Sequence, residues 1–298
     1  NEDYFRGAPY FKNLVIRTPL DPSTAVVALQ NGEIDIATAI PQDQIEIIAD
    51  DPTLDVRSAS GWSVKSVFLE GPNFVSDQNL RKAIFHAINR ENAIIFDNAP
   101  EGTEVAKNMY SERMMGDYAG FMDIGGYDVD LAKDYLSKSN YDGKTLKITV
   151  TSDQANIAQS IQEDLKAIGI TTEINQLDSN TYSAAFVDGS CDIAIVSWGC
   201  DYASLEEQMG FHAGTGYYGK IVYNTPEFDQ LLADMANIWE DSEREDMCKE
   251  ALTMTHDFAN MVPIYEDTFS NVYSADLEGA QDIWSATFNL YLYQLKLK

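Results

Sequence analysis

Within five residues, Trp198, Gly199, Asp201 and Tyr202 gather an aromatic platform, exposed backbone, a carboxylate and a phenol. That combination suits a small ligand with a positive charge. A plainer reading stays open beside it, with Trp198 as core and Asp201 as the cap of the next helix. Spacing alone does not choose between the two.

The element that must position these groups is the run CDIAIVSWGCDY, Cys191 to Tyr202. Ile193, Ala194, Ile195 and Val196 are apolar at consecutive positions, which predicts a strand with no solvated face, inside a sheet covered on both sides. Such sheets bind ligands at the carboxyl ends of their strands. The aromatic and acidic cluster stands at that end.

Other chemistry is sparse. Gly214, Gly216 and Gly219 spell GxGxxG, but a dinucleotide fingerprint follows a strand and opens a helix. Here the glycines follow a glutamate-rich helical stretch and precede the extended Lys220 to Asn224, so they read as a loop at a cleft rim. None of the three histidines, His86, His212 and His256, has a second histidine or cysteine at metal-ligand spacing. His86 and His256 read as structural, each within a helix; His212, in loop sequence near the cluster, is a candidate lining residue. No GxSxG elbow or other nucleophile signature is present, so nothing points to catalysis, a metal or a cofactor.

With 48 acidic and 20 basic residues among 298, the net charge is −28. This argues against nucleic acid or an anionic membrane as partner, since both reward clustered Lys and Arg. The 45% hydrophobic content supports a globular protein of one large or two ordinary domains. Cys191 and Cys200 flank a strand that spans roughly 20 Å, beyond the ~7 Å reach of a disulfide. Disulfides are therefore not the framework, which fits a cytosolic protein or an exported one. No run approaches the ~18 apolar residues of a membrane span. No signal segment opens the chain at Asn1, which reads as a processed or trimmed product.

Strand and helix signals alternate along the chain. Leu14 to Arg17, Ile34 to Ile40, Leu54 to Ser58, Val64 to Leu69, Leu146 to Val150 and Thr171 to Gln176 read as strands. Val262 to Tyr265, Phe269 to Tyr273 and Leu290 to Leu297 close the chain the same way. Asp21 and Pro22 open a helix through Leu29. Asn79 to Phe96 reads as one helix with Leu80, Ala83, Ile84, Ala87, Ile88 and Ile95 on a stripe. Further helices are expected at Asp128 to Ser137, Ala155 to Ile168, Thr181 to Val187 and after the cap Thr225 and Pro226. Ser242 and Glu245 form a capping box for a last helix to about Asn260. Alternating βα units indicate a mixed α/β fold.

The helix Leu80 to Arg90, LRKAIFHAINR, closely resembles the signature V-R-x-A-I-x-x-A-I-D-R of the peptide-binding solute-binding proteins that feed ABC importers, solute-binding family 5. Asn1 to Phe5, Ala28 to Ile36, Asn224 to Leu231 and Pro263 to Tyr265 resemble further family segments in the family's order. Ser197 to Tyr202 resembles its strand-end motif G-W-x-x-D-Y-x-D-P. The resemblance implies a periplasmic-binding-protein-like α/β fold, type II and cluster C, with one complete lobe and part of a second that close around a ligand. It implies that Asp201 receives the ammonium group of a bound peptide while backbone around Ser197, Trp198 and Gly199 pairs with the peptide main chain. Cys200, Tyr202 and His212 join the expected ligand wall.

Asn89 departs from the family's aspartate, and Ala203 and Ser204 from its usual run after the tyrosine. The family's chain is also much longer, so residues 70–263 are expected to form one complete lobe and 1–69 with 264–298 part of another. Hinge segments are expected near Leu69 and Pro263. The implied partners are a di- or oligopeptide and the membrane permease subunits of the importer, with the protein a monomer, outside the cytoplasm, periplasmic or lipid-anchored. The same scaffold serves nickel chelates, haem and oligosaccharides, and these stay as alternatives, as does a truncated chain without binding of its own.

Overall fold

Aspartate and proline set the first helix. Asp21 Oδ1 accepts the Ser23 and Thr24 backbone N–H groups at 3.0 and 3.3 Å, and Pro22 occupies a first-turn position that needs no N–H donor. The resulting α1 (Pro22–Gln30) buries Ala25, Val26, Ala28 and Leu29. The computed structural model describes residues 5–17, 21–199, 204–211, 213, 222–280 and 291–298. The chain divides into one unit of Asn1–Gly61 with Thr268–Lys298 and another of Trp62–Asp267.

After α1 come β1 (Ile36–Ala37), α2 (Gln42–Ile48) and the long β2 (Leu54–Leu69). Helices α3 (Pro72–Val75), α4 (Gln78–Ala87), α5 (Arg90–Phe96), α6 (Glu112–Met115) and α7 (Val129–Lys138) follow. Next are β3 (Leu146–Val150), α8 (Ala155–Ala167), β4 (Thr172–Gln176), α9 (Ser179–Asp188) and β5 (Ile193–Trp198). Helices α10 (Leu205–Gly210), α11 (Pro226–Met235) and α12 (Asp241–Phe258) precede β6 (Met261–Ser274), β7 (Leu277–Glu278) and β8 (Lys296–Leu297).

In the first unit β1 pairs antiparallel with β6 through Ile36↔Tyr273 and Ala37↔Val272. Val26, Leu29, Ile40, Ile48 and Val272 form its core. The second unit carries the strand order β6-β2-β5-β3-β4. Here β2 is antiparallel to β5, while β3 runs parallel to both β4 and β5. Parallel pairing needs covered faces, and α8 supplies cover: its stripe Ile157, Ala158, Ile161 and Leu165 is fully buried. Each such large side chain is worth roughly 1.5–3 kcal/mol of burial. Helices α4 and α7 pack on each other, as do α11 and α12.

Several sequence expectations change. Leu14 to Arg17 forms no strand; Leu14, Val15 and Ile16 are exposed and pair with no strand among the described residues. Only Ile36–Ala37 of the Ile34 to Ile40 segment pairs, because Ala39 turns to a left-handed φ of 55°. Leu54 to Ser58 and Val64 to Leu69 are one strand, β2, and Val262 to Tyr265 and Phe269 to Tyr273 are likewise one, β6. The single helix expected over Asn79 to Phe96 breaks where Ile88 extends to ψ 118°. Asn89 then caps α5, accepting the Asn92 N–H at 3.0 Å, and the reset of phase leaves Ile95 exposed. Ser242 is not a cap: α12 begins one residue earlier, after Glu240, with no side-chain cap bond. Of the strand expected over Leu290 to Leu297, Leu290 lies outside the described residues; among the described ones Leu292–Gln294 is a 3-10 turn and only Lys296–Leu297 is strand.

Candidate functional site at the end of β5

The apolar run of β5 fixes its place in the sheet, with Ile193, Ala194 and Ile195 fully buried. Its pairing with β2 runs from Leu69↔Ile193 to Val64↔Trp198. On the other side, pairing with β3 stops at Thr149↔Ala194. The Ile195 carbonyl needs partners elsewhere, and Gln154 Nε2 and the Tyr182 hydroxyl donate to it at 3.0 and 2.6 Å. From Val196 onward the strand described here is held by β2 alone.

Gly199 ends the strand against β2. A Cβ at this position would stand 3.0 Å from Ser63 Cβ and 3.5 Å from the Trp62 carbonyl oxygen, so a larger residue requires Ser63 to give way by a few tenths of an ångström. The Gly199 carbonyl accepts Gln208 Nε2 of α10 at 2.6 Å. Glycine here permits a close approach that keeps backbone uncovered by its own side chain.

A polar cluster underlies this end. Ser63 donates to Asp267 Oδ2 at 2.8 Å, and the Ser197 hydroxyl lies near enough to the same carboxyl group to favour its charged form. Lys65, opposite Ser197 in the register, pairs with Asp97 at 3.0 Å. Tyr265 donates its hydroxyl to Asp97 at 2.5 Å. Burial raises the Asp267 carboxyl above the usual carboxylate range, opposed first by Lys65 and then by the two serine hydroxyls. Burial and the neighbouring Asp97 also push the Tyr265 phenol up, so it stays protonated as a donor.

Of the residues singled out from sequence, Ser197 and Gly199 stand at this strand end, and the Trp198 backbone pairs opposite Val64. Cys200, Asp201, Tyr202, His212 and the glycines Gly214, Gly216 and Gly219 lie outside the described residues. His86 and His256 hold loops: His86 Nδ1 is 2.9 Å from the Gly126 carbonyl and His256 Nε2 is 3.0 Å from that of Ile124. Sequence reasoning missed Ser63, Lys65, Asp97, Tyr265 and Asp267. The available signals were a lysine inside the alternating Val64 to Leu69 pattern and an acid within the closing apolar stretch.

Among the described residues, no three His, Cys, Asp or Glu side chains are grouped to hold a metal ion. No described helix is long and apolar enough to cross a membrane. A groove of about 850 Å³ lined by Arg90, Ile94, Val105, Lys107 and Tyr127 contains none of the residues expected at the ligand wall.

Residues 1–219 match the bacterial extracellular solute-binding proteins, family 5, middle region. The chain belongs to this family. Among its family 5 relatives, the di/tripeptide-binding protein 2 of Pseudomonas aeruginosa is 25% identical over 280 residues, covering 89% of this chain and 52% of that protein. The oligopeptide-binding protein AppA of Bacillus subtilis is 26% identical over 289 residues, 84% of this chain and 49% of the relative. This chain thus spans about half the length of the curated relatives it matches. Among solved structures, AppA of Bacillus subtilis in complex with a nonapeptide superposes with a TM-score of 0.84 at 19% identity, over 100% of this chain and 63% of that one. The substrate-binding protein CtaP of Listeria monocytogenes gives a TM-score of 0.85 at 21% identity, over 100% and 62%. The mixed α/β fold expected from sequence is therefore the periplasmic-binding-protein fold of family 5.

Proposed function

We propose that this chain is the ligand-binding part of an ABC importer receptor for di- and oligopeptides, acting outside the cytoplasm and handing its ligand to membrane permease subunits. The observation that carries this reading is the end of β5, where Ser197 and Trp198 stay paired with β2 on one side after the pairing with β3 has ended at Ala194, beside a close-approach glycine in a family 5 fold. Relatives named for di-, tri- and oligopeptide binding support peptides as the ligand class. The role is binding and delivery, not turnover.

In this reading backbone at Ser197, Trp198 and Gly199 pairs with the peptide main chain, which is blind to side-chain identity. Asp201 receives the peptide ammonium in a charge-assisted hydrogen bond, and Cys200, Tyr202 and His212 line the wall. The division between the two units falls within β2 and β6, and these strands are the connections that bend during closure.

Calorimetry on the full-length protein with di- to pentapeptides tests the role of Asp201. Asp201→Asn should weaken free-amine peptides about tenfold or more, the value of one hydrogen bond to a charged group. Undiminished affinity removes Asp201 from the site.

A further inference from the structure

Asp267 is costly where it stands. Its side chain is buried, with the residue 7% exposed, and the nearby cation Lys65 is engaged 3.0 Å away by Asp97. Its described hydrogen-bond donor is one neutral hydroxyl, Ser63 at 2.8 Å, with the Ser197 hydroxyl nearby. A buried carboxylate without a direct ion pair loses hydration that hydroxyl donors only partly replace. For stability alone, an apolar side chain would serve better in this interior.

The position explains what the acid does. Strands β6, β2 and β5 are neighbours in that order, so Asp267 on β6 reaches across Ser63 of β2 to Ser197 of β5. Lys65, two residues from Ser63, shares its face, and its register partner is Ser197. One carboxyl group therefore ties β6 to β2 at Ser63 and faces β5 two residues before Gly199, on the stretch where β5 has already lost β3 as a partner. Ser63 is the same residue against which Gly199 packs.

We propose that Asp267 is a positioning residue, which through Ser63 and Ser197 holds the terminal residues of β5 in the geometry that receives a ligand's main chain. This rests on the peptide-binding reading for its ligand but not for its effect on the strand. The nearby Lys65, Asp97 and Tyr265 fix the neighbouring turn of side chains and leave the Asp267 carboxyl to the two serines.

Amide hydrogen exchange of the unliganded full-length protein, read by mass spectrometry, tests it together with peptide calorimetry. Asp267→Asn and the conservative surface change Ser197→Ala should each speed exchange over 197–199 about tenfold, matching the loss of one hydrogen bond to a charged group. Exchange over β3 should stay unchanged. Peptide affinity should fall by a similar factor in each, and the double variant should be no weaker than the weaker single, because both remove the same contact. Unchanged exchange over 197–199, faster exchange throughout β3 as well, or faster local exchange with full peptide affinity would each overturn the proposal. If the unaltered protein binds no peptide, the ligand assignment fails, while the exchange comparison still decides whether Asp267 holds the strand.

Discussion

A carboxyl group with no exposure and no cation among its described neighbours is expected to stay neutral, and Glu70 is in that position at the end of β2. Burial raises its pKa to about 8; the Cys191 thiol beside it opposes the rise slightly, and Asp188 and Asp192 add to it. The same burial pushes the Cys191 thiol up to about 12, so it offers a proton rather than a charge. The folded pKa lies above the unfolded one, so the stability tied to this proton is complete below about pH 4.5 and declines as pH rises toward 8. Glu70→Gln should remove that decline, by at most about 1.4 kcal/mol per pH unit. Thermal melts of both proteins from pH 5 to 9 should show the variant gaining on the parent up to about pH 8 and then holding level, and a constant difference throughout would contradict a neutral Glu70. None of this was legible in the sequence, where Glu70 marked only a lobe boundary. Burial of a lone acid depends on Gly71, whose φ of 81° turns the chain within 3.0 Å of the Gly189 carbonyl as measured from a hypothetical Cβ, and on strands far away in the chain.

At the scale of elements, periodicity read the helices well and their ends less well. The stripe of α8 and the caps Asp21 and Thr225 were visible because each depends on neighbours a turn away. The break at Ile88 was not, since the apolar spacing continues through it while Asp164, from distant α8, accepts the Asn89 N–H at 2.9 Å. Strand lengths failed for a related reason: pairing partners decide them, as in β1 and the merged β2 and β6. Two substitutions separate local pattern from structure. Asn89→Ala should cost about 1 kcal/mol, roughly 2–4 °C in the melting temperature of a unit this size. Ser242→Ala should leave the melting temperature within the scatter of surface changes, about 0.5 kcal/mol, although its sequence context reads as a capping box. A loss at Ser242 as large as at Asn89 would restore the capping box and contradict the start of α12.

For the whole molecule, the segments that resemble family 5 carried the fold class, because they encode a shared sheet and its covering helices. They carried less of the site. The acid, serines and lysine around Asp267 come from β2, β5 and β6, which lie far apart in sequence, Ser63 and Asp267 by 204 residues, and no short motif reports such a meeting. The charge of −28 makes the surroundings favourable to a cationic group and screens with salt. It does not choose a peptide. The central claim is that the end of β5 receives a peptide by its main chain and its ammonium group. Calorimetric titration of the full-length protein with one tripeptide, free and N-acetylated, tests this most directly. The free peptide should bind, and acetylation should weaken it about tenfold or more, the loss of a charged hydrogen bond. Equal affinity for the two forms, or no binding of either, would contradict it.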